Sequence, residues 1–250
     1  MLLQLATWEE VDAYLERSRG IIIPIGSTEQ HGPLGLIGTD AICPEVIARG
    51  VAERIDALVA PTISIGMAQH HLGFAGSISL RPSTLIAVVR DVVQSLARHG
   101  FERCYFLNGH GGNVATVSAA FSEIYADASF ARAGGNRPGV RCKLSNWYMT
   151  PGVKKLSAKL YGSSEGSHAT PSEVSLTYFA YPEAKKSATQ DPTIAPTGPI
   201  LDADDYRRRF PDGRIGADSS LASIEAGEKL YQAAVEDIAR DYEDFVSKKS

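Results

Sequence analysis

Three side chains that can bind a metal ion lie in one short glycine-rich segment. Glu29, His31 and Asp40 fall within 12 residues of one another, directly after the apolar run at residues 21–25. Two carboxylates and an imidazole are ligand types that zinc, manganese and iron accept in proteins. Glycines between them let the backbone fold tightly, so that side chains eleven positions apart can converge. We therefore expect a metal site in this segment.

Two further loops carry side chains of the same kinds. Residues 108–113 hold His110 between glycines, after a predicted strand and before a predicted helix. Residues 165–173 hold His168 and Glu173 at the start of another predicted helix. Loops at the carboxyl ends of parallel strands meet at one edge of a sheet, where metal and acid–base sites are usually built. The pattern adds His110 to the expected metal ligands. It adds Glu173 as a further carboxylate, which the first turn of a helix would also favour without a metal.

Other chemistries fit these loops less well. Residues 109–112 lack the lysine and hydroxyl side chain of a P-loop and the spacing of a dinucleotide-binding fingerprint. Ser27 and Ser167 do not stand in the Gly-x-Ser-x-Gly elbow of serine hydrolases. Cys104 lies inside a predicted strand, which is a poor position for a nucleophile. A metal centre explains His110, whereas a phosphate site does not.

The elements that must position these loops alternate along the first 150 residues. Apolar runs predict strands at residues 21–25, 58–65, 103–107 and 140–145. Helical spacing and capping residues predict helices at residues 8–17, 44–55, 82–99, 113–125 and 219–245. The proline-rich stretch 182–216 is predicted to be an irregular excursion with a functional or interface role. The pattern predicts an α/β fold in which residues 1–250 form a single domain.

Composition narrows the classes of function. The net charge of −4 and the pI of about 5.9 provide no basic surface for nucleic acid or an anionic membrane. Apolar runs fall far short of the ~20 residues that cross a bilayer, and the first residues lack the pattern of a signal peptide. Cys43, Cys104 and Cys142 are odd in number and suit reduced core thiols. We expect a cytoplasmic protein that acts on a small molecule.

Taken together, the motifs resemble those of the creatininase family of metal-dependent amidohydrolases. The resemblance rests on residues 22–40, 108–113 and 166–175, with residues 66–80 as a looser fourth motif. It implies a three-layer α/β/α fold with a mainly parallel central sheet. It also implies two divalent metal ions per chain, zinc above all, with manganese or iron possible in one position. Creatininases form hexamers, so the resemblance further implies a homo-oligomer.

The resemblance assigns a role to each matching residue. Glu29 and His110 would hold one metal ion, His31 would hold the other, and Asp40 would bridge the two. His168 matches the family's histidine that moves a proton during ring opening or closure.

The chain departs from the family pattern at two positions. Leu34 lies in the segment Pro33-Leu34-Gly35-Leu36, where family members commonly have Pro-His-Leu-Pro. Gly112 stands two residues after His110, where creatininases carry a glutamate. Glu173 is then the candidate for the missing carboxylate, and the substrate remains open.

The predicted function is hydrolysis of a non-peptide carbon–nitrogen amide bond, cyclic or related. A water bridging two metal ions would lose a proton near neutral pH and attack the carbonyl carbon. His168, with Glu173 nearby, would protonate the departing nitrogen. The backbone amides of Gly111 and Gly112 would stabilise the oxyanion.

The substrate pocket and the class of function leave alternatives. His71 is predicted to line the pocket, and Trp147 either lines it or packs at the edge of the sheet. A formamido-pyrimidine deformylase or a peptide-trimming hydrolase of the same fold is also consistent with the motifs. A third alternative, from another class, is a non-catalytic metal- or ligand-binding protein.

Overall fold

Three parallel strands form the centre of the computed structural model, which describes residues 1–131 and 139–247. They are β1 (Gly20–Ile25), β2 (Arg103–Asn108) and β3 (Arg141–Asn146), in the order β1-β2-β3. The register pairs Gly20 with Arg103 and Arg103 with Arg141. Every residue of β1 and β2 is buried, as expected for parallel strands that are covered on both faces.

Eight α-helices occur in the described residues. They are α1 (Trp8–Leu15), α2 (Thr39–Ile55), α3 (Pro82–Arg98), α4 (Asn113–Phe130), α5 (Pro151–Tyr161), α6 (Pro171–Ala180), α7 (Ala203–Arg209) and α8 (Ile224–Ser247). The predicted helices all exist, but α2 begins at Thr39 rather than at residue 44. Pro44 therefore lies inside α2, and Asp40 lies in its first turn.

The side chains of β1 alternate between two buried apolar clusters. Ile22 packs in a cluster formed largely with α2, α5, α6 and α8. Ile21, Ile23 and Ile25 pack in a second cluster with α1, α3 and α4. Because successive residues of a strand point to opposite faces, one sheet separates the two clusters. The result is the predicted three-layer α/β/α arrangement.

The strand predicted at residues 58–65 is not formed as a regular strand. Isolated parallel bridges join Ile22 to Val59 and Ile25 to Ile63, so one extra residue is inserted on the outer segment. Ile22 donates to the Leu58 carbonyl and accepts from the Ala60 amide, but Pro24 of β1 has no N–H with which to continue the ladder and accepts from Ile63 instead. The segment still runs along the free edge of β1 and leads towards residues 68–71.

The excursion at residues 182–216 is irregular apart from α7 and one short turn of 3₁₀-helix. Its end returns to the sheet's carboxyl side, where Ile215 and His168 form an antiparallel bridge. Arg214 is fully buried there and donates to Asp212 and to the carbonyls of Thr193 and Ala217. In the described part of the chain, no helix has both the length and the apolar character needed to cross a membrane.

Candidate metal centre

Three segments meet at the carboxyl end of the sheet. β1 leads into residues 26–40, and β2 leads through Gly109 into His110. The segment bridged to β1 leads into a short helical turn that ends at His71. This convergence follows from the parallel strand directions, because the carboxyl ends of all these segments lie at one edge.

Two asparagines of the second loop join the three segments. The Asn108 side chain donates to the His110 carbonyl at 2.6 Å and so fixes the turn. Asn113 donates to the Gly26 carbonyl at 2.9 Å and accepts from the Met67 amide at 3.0 Å. The motif Asn-Gly-His-Gly-Gly-Asn therefore supplies a scaffold as well as an imidazole.

Gly26 after β1 and Gly109 after β2 allow the Asp40 backbone to pack closely against the loops that follow both strands. A Cβ at Gly26 or at Gly109 would lie 2.0 Å from the Asp40 carbonyl oxygen. No larger residue fits at either position without moving α2. The close contact places the Asp40 side chain between the other candidate ligands.

The candidate ligands form overlapping triads whose ligand atoms lie within 4.8 Å of one another. One triad is Glu29, Asp40 and His110, a second is His31, Asp40 and Glu173, and a third is Glu29, His31 and His168. Asp40 is common to the first two. Its Oδ2 lies 2.8 Å from Nδ1 of His110, and its Oδ1 lies 3.1 Å from Nε2 of His31. One carboxylate thus faces two imidazoles through different oxygens.

Glu29 is surrounded by imidazole nitrogens without being hydrogen-bonded to them. Its Oε1 lies 3.0 Å from His71 Nε2, 3.3 Å from His110 Nδ1 and 3.8 Å from His168 Nδ1. Even so, neither Glu29 oxygen receives a hydrogen bond of acceptable geometry from the described residues. Ligands about 2.0–2.1 Å from a tetrahedral zinc ion stand roughly 3.3 Å apart. The spacing suits donors grouped around an ion.

Buried carboxylate oxygens without donors provide the test of fit for a metal. Glu29 is fully buried and Asp40 is 3% exposed, and Glu29 Oε1, Glu29 Oε2 and Asp40 Oδ2 lack hydrogen bonds within the described ranges. Leaving such oxygens bare in a protein interior is costly. A divalent cation would compensate them, and the mixture of imidazole and carboxylate suits zinc, manganese or iron. The residues present fit the implied metal centre.

The pKa shifts of the buried acids and histidines indicate that the site favours bound positive charge. Burial raises the pKa of Glu29 and that of Glu173 to about 7. Burial would lower the pKa of His31, but Asp40 and Glu173 outweigh it and raise that pKa to about 10. For His110, burial is likewise outweighed by Glu29 and Asp40, which raise the pKa to about 9. Although burial favours the protonated acid, His31 and His110 hold the pKa of Asp40 well below its ordinary value.

His168 and His71 flank Glu29 and are linked through Gln30. His168 Nε2 lies 2.9 Å from the Gln30 backbone carbonyl, which leaves Nδ1 facing Glu29. His71 Nδ1 lies 2.9 Å from Nε2 of the Gln30 side chain. Burial lowers the pKa of His71 to about 2 and that of His168 well below its ordinary range. Both rings are therefore neutral at physiological pH.

Comparison with known proteins identifies the group to which this fold and centre belong. Residues 4–242 match the profile of Creatininase, described as creatinine amidohydrolase. The chain belongs to the creatininase family. Creatinine amidohydrolase of Pseudomonas putida is 28% identical over 249 residues, which are 93% of this chain and 92% of that protein. Mycofactocin precursor peptide peptidase of Mycobacterium ulcerans (strain Agy99) is 36% identical over 126 residues, 46% of this chain and 50% of that protein.

Likeness to solved creatininases extends over the whole fold. A structure named Creatininase Mn is 25% identical to this chain, with a TM-score of 0.82 and coverage of 99% of both chains. Both the resemblance and the predicted α/β/α fold are confirmed.

The geometry explains how this creatininase relative departs from the expected pattern at Gly112. A Cβ there would lie 2.4 Å from Nε2 of His110 and 2.7 Å from the Met67 carbonyl. His110 Nε2 and the Met67 carbonyl oxygen, which are 2.9 Å apart, already occupy the space that this Cβ would need. A glutamate at this position would displace the imidazole.

Glu173 occupies the place from which a carboxylate can reach His31. Its Oε1 lies 3.8 Å from Nε2 of His31. The same oxygen accepts from the Thr170 amide at 2.6 Å, and the Glu173 amide donates to the Thr170 hydroxyl. Both interpretations of Glu173 therefore apply together, because it closes the capping box of α6 and faces the metal centre.

The predicted pocket residues lie in different surroundings. Trp147 is 1% exposed and packs in the apolar cluster with α5 and α8, which favours the second of its two predicted places, packing beside the sheet, over lining the pocket. Gly111 is exposed, and a Cβ there would lie 3.8 Å from the Tyr148 hydroxyl. His71 contacts Glu29 and is only 2% exposed, which leaves it little surface for a substrate.

Two side chains near the centre, Gln30 and Tyr206, were not singled out from the sequence, and a third, His70, was given no role. Gln30 stands between two expected ligands, which was the available indication, but a glutamine there has no obvious chemistry. Tyr206 contributes a ring 4.6 Å from that of His71, and nothing in α7's sequence predicts this contact. His70 is 6% exposed, and its ring centroid lies 6.4 Å from that of His110.

Proposed function

We propose that the chain is a metal-dependent hydrolase of a carbon–nitrogen amide bond. Glu29, Asp40 and His110 would hold one divalent ion, and His31, Asp40 and Glu173 would hold a second. The observation that carries this proposal is Asp40, whose two oxygens face imidazoles of two different triads. The buried carboxylate oxygens without donors support it further. Zinc is the proposed metal, with manganese or iron as alternatives in one position.

The chain's own residues can perform the remaining steps. When bound, the ions supply Lewis-acid polarisation of the carbonyl and lower the pKa of water. Nδ1 of His168 is the available proton acceptor, because Nε2 is engaged by the Gln30 carbonyl. After taking a proton from the attacking water, the same nitrogen would return it to the departing amine. Gly111 and Gly112 precede α4, where their amides can donate to an oxyanion.

The proposal is tested by metal content and amide hydrolysis measured together. Protein stripped with a chelator should be inactive, and zinc should restore activity at two ions per chain by elemental analysis. Creatinine, a cyclic amide, and a formamide would serve as probe substrates. One ion per chain with no hydrolysis of any amide would contradict the proposal and favour the non-catalytic binding protein.

Peptide trimming is the second candidate function. It is favoured by Gly112, which lacks the carboxylate of creatininases, and by the peptidase relative's higher identity over about half of this chain. A peptide bond is also a carbon–nitrogen amide, so the same residues would serve. Cleavage of short peptides without cleavage of creatinine would select this function over the non-peptide amide.

We also propose a homo-oligomer, with the hexamer of creatininases as the expected form, in which each chain is a single domain located in the cytoplasm. Both apolar clusters share one sheet, which supports a single domain. The three cysteines are free, which suits a reducing compartment. Light scattering after size exclusion would give the number of subunits, and limited proteolysis would test the single domain.

A further inference from the structure

The orientation of the Gln30 amide is fixed by two backbone groups. Its Oε1 accepts from the Gly32 amide at 2.9 Å. Its Nε2 donates to the Gly213 carbonyl at 2.9 Å. Rotating the amide by 180° would place Oε1 against the Gly213 carbonyl and the NH₂ group against the Gly32 N–H. Only the observed orientation therefore satisfies both backbone groups.

The second proton of Gln30 Nε2 has an acceptor in His71. His71 Nδ1 lies 2.9 Å away, and an amide nitrogen can only donate. His71 Nδ1 must then carry no proton, which places the ring's proton on Nε2. That atom is 3.0 Å from Glu29 Oε1, so the protonated nitrogen adjoins the carboxylate without making a well-aligned hydrogen bond.

The backbone of Gln30 performs the matching task for His168. Its carbonyl oxygen, which can only accept, lies 2.9 Å from His168 Nε2. His168 Nε2 therefore carries the proton, and Nδ1 presents its lone pair 3.8 Å from Glu29 Oε1. The Gln30 amide nitrogen is also 3.0 Å from His168 Nε2, but a protonated Nε2 cannot accept from it, which leaves His71 Nδ1 as the acceptor of the second amide proton.

We propose that Gln30 is a positioning residue that fixes the tautomers of His71 and His168. One ring then presents an N–H and the other a lone pair to the same glutamate. His71 is excluded as a metal ligand in this arrangement, because its Nε2 has no free lone pair. His168 is left as the proton acceptor. The tautomers follow from hydrogen bonds alone, whereas their effect on hydrolysis rests on the proposed function.

The surroundings of Gln30 are shaped for its side chain. Gly213 has a φ of +90°, and a Cβ there would lie 1.8 Å from Gln30 Oε1. The Tyr206 hydroxyl also donates to the Gly213 carbonyl, at 2.7 Å, and so holds the acceptor in place. Gln30 itself is 6% exposed. The end of the excursion therefore packs directly against the amide that orients the histidines.

The test is ¹⁵N NMR of the full-length protein labelled at its histidine rings, with zinc added. The chain has six histidines, and variants at His71 and His168 assign their resonances. We expect both rings to be neutral and protonated on Nε2. A wild-type His71 that is protonated on Nδ1 would overturn the proposal, and this result does not require any variant at Gln30 to fold.

The variant Gln30→Glu replaces a donor by an acceptor of the same shape. His71 should then move its proton to Nδ1, while His168 should keep Nε2–H because its partner is a backbone carbonyl. Gln69→Glu adds the same charge at an exposed position two residues from His71 and should change neither ring. An unchanged His71 tautomer in folded Gln30→Glu would contradict the proposal.

Hydrolysis provides a separate measurement. On whichever amide the wild type cleaves, kcat in Gln30→Glu should fall about 10- to 100-fold, the usual loss when a partner that orients a metal site is changed. If the wild type cleaves no amide, the proposed function fails while the NMR spectrum still decides the tautomers.

Discussion

At the scale of single residues, Asp40 is the group on which the proposed centre depends most. It is the only member shared by the Glu29–His110 and His31–Glu173 triads among the described residues. Its two oxygens make separate contacts, so its loss should affect two ions rather than one. This distinguishes it from His110 and Glu173, which each belong to a single triad.

Substitutions at Asp40 and Glu173 should therefore differ in stoichiometry. Asp40→Asn should reduce bound zinc from two ions per chain towards none, and Glu173→Gln should reduce it to one. Glutamine keeps an acceptor for the Thr170 amide, so α6 should stay capped in the second variant. Elemental analysis and circular dichroism would check both. Equal loss in the two variants would rule out Asp40 as the shared ligand.

Gly112 offers a second prediction at this scale. Gly112→Ala should displace His110, because the new Cβ would lie 2.4 Å from its Nε2. Zinc affinity should fall at least about tenfold, measured by competition with a chelator. Gly111→Ala is the matched control for metal binding, since its Cβ would approach nothing closer than the Tyr148 hydroxyl at 3.8 Å. Equal affinities in the two variants would contradict the steric argument.

The side chains expected as ligands from the sequence lie together in the structure, because residue type and the loops that follow strands can both be recognised in a sequence; their role as ligands stays a prediction. The sequence did not decide whether Trp147 lines the pocket or packs beside the sheet, since only packing sets the direction of a side chain in that turn. It also left Gln30 without a role. The acceptor at Gly213 is more than 180 positions away and belongs to an irregular segment.

At the scale of elements, the excursion at residues 182–216 braces the centre from the carboxyl side of the sheet. Its prolines predicted irregular structure correctly, but the short helix α7 was missed. Tyr206 in α7 contacts His71 and Gln30 near the centre, and these contacts hold α7 in place. The outer segment at residues 58–65 does not form a regular strand, because Pro24 interrupts its hydrogen bonds with β1.

Arg214 should be the main source of stability in that excursion. Arg214→Met should lower the free energy of unfolding by about 3 kcal/mol, because several carbonyls lose a charged donor together. The matched control is Arg208→Met, whose side chain is 71% exposed and should change stability by less than about 0.5 kcal/mol. Urea unfolding would measure both, and similar values would contradict the proposed role of Arg214.

At the scale of the whole molecule, the buried charges couple stability to pH. Without metal, Glu29 and Glu173 hold protons up to about pH 7, well above their ordinary pKa, and His31 and His110 hold theirs to about pH 10 and 9. His71 and His168 are neutral in the folded state, so below about pH 6 the unfolded chain binds protons on these rings that the folded state lacks. Above about pH 6 the raised pKa values dominate, and the folded state binds more protons than the unfolded chain. Stability therefore falls as pH rises across this window.

Zinc should remove this dependence, because it takes the place of the protons. Metal-free protein should lose thermal stability between about pH 6 and pH 9. Zinc-loaded protein should have a higher Tm throughout, and the difference should grow with pH. Differential scanning fluorimetry with and without a chelator would measure it. A metal-free Tm that rises over this interval would contradict the assigned charges.

The placement of the candidate ligands along the chain also implies an order of assembly. Three of the five, Glu29, His31 and Asp40, lie within one stretch of 12 residues, whereas Glu173 follows Asp40 by 133 positions. Closing a loop of that length costs about 4 kcal/mol of chain entropy, which only the packed fold repays. The first stretch alone completes no triad, because each triad also needs His110, His168 or Glu173. The complete centre can form only after α6 has docked, so tight metal retention would report that the fold has closed.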